Sequence, residues 1–144
     1  MKEPLYLIGN GQYPGKEIVL THLAEMNLYL PAAHHALRQR IDELFALRHL
    51  PLHIIGEIES LETLTAALSG GNGVSIVPES AALALQNAGK VWASRITSPH
   101  VNLHYTLNVS ASRVLSAQAR SVKNLLVSQI RKPMIMDREL LLVS

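Results

Sequence analysis

Histidines, neighbouring carboxylates and a glycine-rich loop are the groups with which this sequence could do chemistry, and their spacing limits what that chemistry can be. His34 and His35 are adjacent, so on a helix they point in different directions. His100 and His104 flank a strand start, about 13 Å apart if extended, which is too far to share one ion. With no cysteine and no pair of histidines spaced around a catalytic glutamate, no metal site is expected. Glu57 and Glu59 would share a strand face about 7 Å apart if the strand continues, a separation that suits paired acid and base work. No third group is assigned to orient them, so solvated carboxylates at a strand end are the simpler reading. The loop GGNG at residues 70–73 follows a helix and precedes a strand. Phosphate-cradling loops do the reverse, so its amides do not meet a helix N-terminus. Ser75 lies inside an apolar run and lacks the second glycine of a nucleophile elbow, as a packed strand serine would. Nothing supplies nucleophile, base and orienter together, so neither enzymatic activity nor a cofactor is expected.

The elements that would position these residues centre on residues 54–80, which read as a strand, helix, strand unit. An apolar run over 52–55 ends at Gly56, and Ser60 stands where an N-cap belongs. Leu61, Leu64, Ala67 and Leu68 then recur at the helical period, Glu62 lies in the first turn, and Gly70 with Gly71 supplies the stop. Residues 74–77 suit a strand covered on both faces, which Pro78 ends because it has no amide to donate. Two parallel strands joined by a helix follow, with functional residues expected at their carboxyl ends, over 57–60 and 78–80.

Strands and helices alternate on both sides of this unit. Residues 5–8 form a strand candidate broken by Gly9, Asn10 and Gly11, and a short helix near 21–26 leads to a strand over 27–30 closed by Pro31. A long helix is predicted over 33–48, with Leu37, Ile41, Leu44 and Phe45 as its apolar stripe. A short helix over 80–87 stopped by Gly89 and a strand over 91–97 come next. Residues 101–109 alternate apolar and polar as a half-buried strand does. Ser116 caps an amphipathic helix whose stripe is Leu115, Ala119, Val122, Leu126 and Ile130. The tail over 131–144 reads equally as strand or coil.

A chain of 144 residues can bury one core of ordinary domain size. Its hydrophobic fraction of 48% argues against disorder, and its apolar runs are too short to span a bilayer. Thirteen Lys plus Arg against 11 Asp plus Glu leave a formal charge of only +2, which is not a nucleic-acid-binding balance. The absence of cysteine excludes disulfides and thiolate chemistry. The opening MKEPLYLIGN has no sustained apolar core ahead of a cleavage site, so the cytoplasm is expected.

The order of PLYLIGN, LAEMNLYLP, ALRQRIDELF, GEIESLETLTAAL and GVSIVPESAA resembles the effector-binding domain of LysR-type transcriptional regulators across nearly the whole chain. The stretches EIESLETLTAAL, WASRIT followed by a proline, and LLVS look closest to a branch acting on nitrogen assimilation genes. The resemblance implies an α/β fold of periplasmic-binding-protein type: two subdomains joined by crossing strands, with a small-molecule cleft between them. Residues 1–10 would be a crossing strand, 11–98 the second subdomain, 99–130 the return strand and C-terminal helix of the first subdomain, and 131–144 a tail.

Carried over by position, the effector cleft would be formed by Pro31, Ala32, Ala33 and His34 at a helix N-terminus and by Glu59 and Ser60. Many relatives place a hydroxyl or other polar group after the strand-ending proline, whereas Ala32 and Ala33 stand here, and an anion would find fewer partners. A cleft that is only a hinge stands beside one that binds something. Implied partners are a second copy of the chain, RNA polymerase, and operator DNA through an N-terminal helix-turn-helix expected upstream of residue 1. No membrane partner is expected. The rival reading is a solute-binding protein of the same architecture, which would normally be exported.

Overall fold

The computed structural model describes residues 1–110, 114–131 and 142–143. They fall into two compact units, Glu3–Leu103 and a second composed of Met1–Lys2 with His104–Ser144. The first is built on one sheet. In chain order its elements are β1 (Lys2–Gly9), β2 (Glu17–Val19), a 3-10 turn (Leu20–Glu25), β3 (Asn27–Leu30), α1 (Ala36–Leu47), β4 (His53–Glu57), α2 (Leu61–Ser69), β5 (Val74–Pro78), α3 (Glu79–Asn87), β6 (Trp92–Thr97) and β7 (Asn102–His104).

The strand order is β2-β6-β1-β5-β3-β4, with β7 pairing β1. β3 runs parallel to both β4 and β5, and β2 parallel to β6, whereas β1 runs antiparallel to β5 and β6. All of β2 to β6 therefore point one way, and the amino end of β1 lies on the same edge as their carboxyl ends. The expected unit of β4, α2 and β5 forms, but its strands are not neighbours: β3 lies between them, and α2 crosses over it.

Each face of the sheet buries its own cluster, as period-two alternation along β1 requires. Leu5 and Leu7 face a core with Leu28, Leu30 and the α1 stripe of Leu37, Ile41, Leu44 and Phe45. Ile8 faces the other, with Val77, Ala93, Leu64 and Leu68 of α2 and Ala82 of α3. The α1 stripe is the one the helical period predicts. On α2 only Leu64 and Leu68 are buried; Leu61 remains exposed because it stands at the first helical position, beside the cap. Ser75 is buried on β5, and its hydroxyl donates to the Tyr29 carbonyl at 2.7 Å, so it is a packed strand serine.

Several boundaries differ from the sequence reading. β1 is longer than the apolar core that suggested it, and β2 is too short to show a period. The long helix begins at Ala36 rather than residue 33, because the His35 imidazole caps it: Nδ1 accepts from the Leu37 amide at 3.2 Å. The alternating stretch over 101–109 is not one strand but two, β7 and β8 (Leu107–Asn108). Between them the Tyr105 backbone leaves the run and exchanges hydrogen bonds of 2.8 and 2.9 Å with the Met1 backbone.

In the second unit β8 pairs in parallel with β9 (Leu142–Val143). The helix α4 (Ala117–Arg131) is capped as its sequence predicts, the Ser116 hydroxyl accepting from the Ala119 amide at 3.1 Å. The remainder of the tail, including Pro133, lies outside the described residues.

Candidate functional site

The carboxyl edge of the sheet gathers the loops after β3, β4 and β5. Pro31 follows β3, and the chain then turns, the His35 amide donating to the Ala32 carbonyl at 2.9 Å. Pro31, Ala32, Ala33 and His34 thus form a turn ahead of α1, so that Ala33 and His34 precede the helix expected to start at residue 33. Ala33 and His34 are exposed, and Pro31 and Ala32 are half-buried.

Arg38, in the first turn of α1, holds the turn ahead of that helix against the end of β4. Its Nη1 donates to the Pro31 carbonyl at 3.0 Å and to Glu57 Oε1 at 3.3 Å, while Nε donates to Asp42 Oδ1 at 2.9 Å. The Arg38 side chain is only 12% exposed. Its pKa is raised, first by the hydrogen bond to Asp42 and against the lowering effect of burial. One guanidinium therefore ties two strand ends to a helix. Arg38→Met should cost about 1–2 kcal/mol in urea unfolding, discounted because both carboxylates are partly solvated. A stability equal to that of the parent would mean that the three bonds contribute nothing net.

β4 ends at Glu57, so Glu59 lies in the loop and does not share a strand face with it. The two carboxylates have separate partners. Glu57 meets Arg38, and Glu59 Oε1 stands 3.5 Å from His34 Nε2, with both of those side chains mostly exposed. This divides the pair rather than coupling it for acid and base chemistry. Ser60 caps α2, its hydroxyl accepting from the Thr63 amide at 3.4 Å. Ser60→Ala should lower stability by about 1 kcal/mol in thermal or urea unfolding. If stability is unchanged and binding of a metabolite is lost instead, Ser60 serves a ligand and not the helix.

Three groups on this edge were missed. Glu3 Oε1 accepts from the Ser80 amide at 2.6 Å, and Tyr6 donates to Glu79 Oε1 at 3.1 Å. The Tyr6 pKa is raised, first by burial and then by the Glu79 carboxylate. Both contacts depend on the antiparallel pairing of β1 with β5, for which no local signal exists. Arg38 was findable, since Arg38 and Asp42 are an i,i+4 pair on the predicted helix. Among the described residues no group of three or more His, Cys, Asp or Glu is placed to hold a metal ion.

The fold is a mixed sheet covered by helices with loops gathered at the strand carboxyl edge, and sequence comparison assigns it to a family. The pattern of the LysR substrate binding domain matches residues 1–131, and the chain belongs to that family. It is 49% identical over 144 residues to the nitrogen assimilation regulatory protein nac of Klebsiella aerogenes and 47% identical to that of Escherichia coli K12. In each case all of this chain is covered but only 47% of the relative, so the chain spans about half the length of the curated relatives it matches.

Solved structures agree on the fold. The regulatory domain of Synechocystis PCC6803 CcmR, solved in complex with 2-PG, superposes with a TM-score of 0.74 at 17% identity, covering 92% of this chain and 65% of that one. The effector binding domain of QuiR, solved in complex with shikimate, gives 0.71 at 19% identity, covering 89% and 61%. These neighbours have the expected periplasmic-binding-protein-like fold, and the solute-binding alternative is not favoured.

Proposed function

We propose that this chain is the regulatory and self-association portion of a LysR-type transcriptional regulator of nitrogen assimilation genes, working in the cytoplasm and not as an enzyme. The observation that carries the reading is the 49% and 47% identity to two nitrogen assimilation regulatory proteins over all 144 residues. In this reading residues 1–10 are a crossing strand, 11–98 the second subdomain and 99–130 the return into the first. RNA polymerase is a partner of the whole regulator. Operator DNA is contacted by a helix-turn-helix outside these 144 residues, in keeping with a formal charge of only +2.

The edge formed by Pro31, Ala32, Ala33, His34, Glu59 and Ser60 is then one wall of the effector cleft. Its chemistry suits closure better than capture of an organic anion. Ala32 and Ala33 offer no polar side chain, His34 and Glu59 meet each other, and the Ser60 hydroxyl is committed to its helix. Glu3, Glu57 and Glu79 add negative charge along the same edge. Signal would pass through cleft closure or dimer geometry.

DNA binding tests the division of labour. Titrated with labelled operator duplex at physiological salt, the chain should bind no tighter than a weak non-specific polycation, with a dissociation constant above about 1 µM and no sequence preference. Sequence-selective binding below that concentration would falsify the assignment.

A further inference from the structure

The opposite edge of the sheet, where β3, β5 and β6 begin and β1 ends, holds a pocket of ≈ 230 Å³. Trp92, Met26, Val74 and Pro14 give it apolar walls, and the glycine-rich loop between α2 and β5 forms one side. It lies outside the candidate cleft, at the far end of α2 from Ser60. We propose that this pocket binds a small, uncharged, ring-bearing carboxamide.

Three observations define the ligand. None of the lining residues is charged, so a charged ligand would lose hydration without gaining a counter-ion. Three carboxamides, those of Gln12, Asn27 and Asn72, line the pocket. Each offers both donor and acceptor, and none is hydrogen-bonded through its side chain among the described residues, so a ligand carrying both functions can be matched. The volume is below the range of about 300–1,000 Å³ usual for drug-sized ligands, which limits the occupant to about the size of one ring with a short substituent, and the Trp92 indole offers a flat ring a stacking surface.

The walls are held in place without a ligand. The Trp92 indole N–H donates to the Gly11 carbonyl at 3.0 Å, leaving ring surface rather than a free donor to the pocket. A Cβ at Gly9 would come within 2.5 Å of the Trp92 ring, so glycine there lets the indole lie against β1. At Gly73 a Cβ would meet the Tyr29 ring at 2.9 Å and the Asn27 carbonyl at 3.1 Å, so glycine there lets the loop between α2 and β5 press against β3.

Trp92 is the only tryptophan in the chain, so its fluorescence reports on this site. Titration with benzamide should give a saturable change, with benzoate and toluene each binding about tenfold more weakly. Replacing two of the three carboxamides, the ones carried on loops, as Gln12→Ala with Asn72→Ala, should weaken benzamide by about tenfold while the far-ultraviolet circular dichroism stays the same. The proposal is overturned by no saturable response up to about 10 mM benzamide, by equal binding of benzoate, or by a double variant that binds as the parent does. A fluorescence change that follows protein concentration instead of benzamide would also overturn it, since a second copy would then fill the pocket. None of these outcomes depends on the chain being a nitrogen regulator.

Discussion

Phe45→Ala is expected to destabilise the unit Glu3–Leu103 by about 3–5 kcal/mol, a large share of the total stability of a domain this size. Phe45 is 1% exposed and belongs to the core that joins α1 to β3, with Leu28, Leu30 and Ile41 as fellow members. Truncation removes apolar surface and leaves a cavity between helix and sheet that a close-packed interior closes only in part. The consequence extends to the candidate cleft, because α1 also carries Arg38, which holds the Pro31 carbonyl and Glu57. Urea unfolding should show a lower midpoint at an unchanged slope. Leu47→Ala is the control: Leu47 is on the same helix but 74% exposed, and its replacement should change stability by no more than about 0.5 kcal/mol. A loss below about 1 kcal/mol at Phe45 would mean that α1 is not docked through this side chain.

That stripe on α1 shows what was legible in the sequence. Helical period, a strand ended by proline and a serine cap are local properties, and Leu37, Ile41, Leu44 and Phe45, the strand Asn27–Leu30, and the caps at Ser60 and Ser116 appear where those properties put them. The start of α1 was missed because Ala33 is a good helix former, while the decisive group was an imidazole two residues on. The strand order was not legible. The insertion of β3 between β4 and β5, and of β1 between β5 and β6, depends on pairings between distant segments whose apolar stretches are interchangeable in pattern. The candidate site inherits that gap. Glu59 and Ser60 could be placed from a local cap, whereas Glu3 and Tyr6 reach the same edge only because β1 runs antiparallel to its neighbours. A shared strand face for Glu57 and Glu59 required the strand to continue, and β4 stops at Glu57.

Replacing Leu125 and Leu126 together by lysine should convert an associating chain into a monomer. Helix α4 is amphipathic, and Val122, Leu125 and Leu126 on it are 56%, 60% and 45% exposed, an apolar stripe at i, i+3 and i+4 spacing. Each such side chain gains about 1.5–3 kcal/mol when fully buried, so two stripes packed against each other supply several such terms. Part of that gain is offset by the lost freedom of association, and the balance is set by how completely the seam excludes water. Soluble chains seldom leave such a surface bare, and a second copy presents the matching stripe by symmetry. Sedimentation of the parent should therefore show a dimer or larger species at tens of micromolar. The double lysine variant should sediment as a monomer while keeping its helix content, because lysine is a good helix former and only the seam is charged. Hydrogen exchange should report slower exchange in α4 of the parent as its concentration rises, with no such dependence in the variant. A parent that stays monomeric at tens of micromolar, with α4 protected to the same degree at every concentration, would place the cover for this stripe within its own chain and remove the case for association through α4.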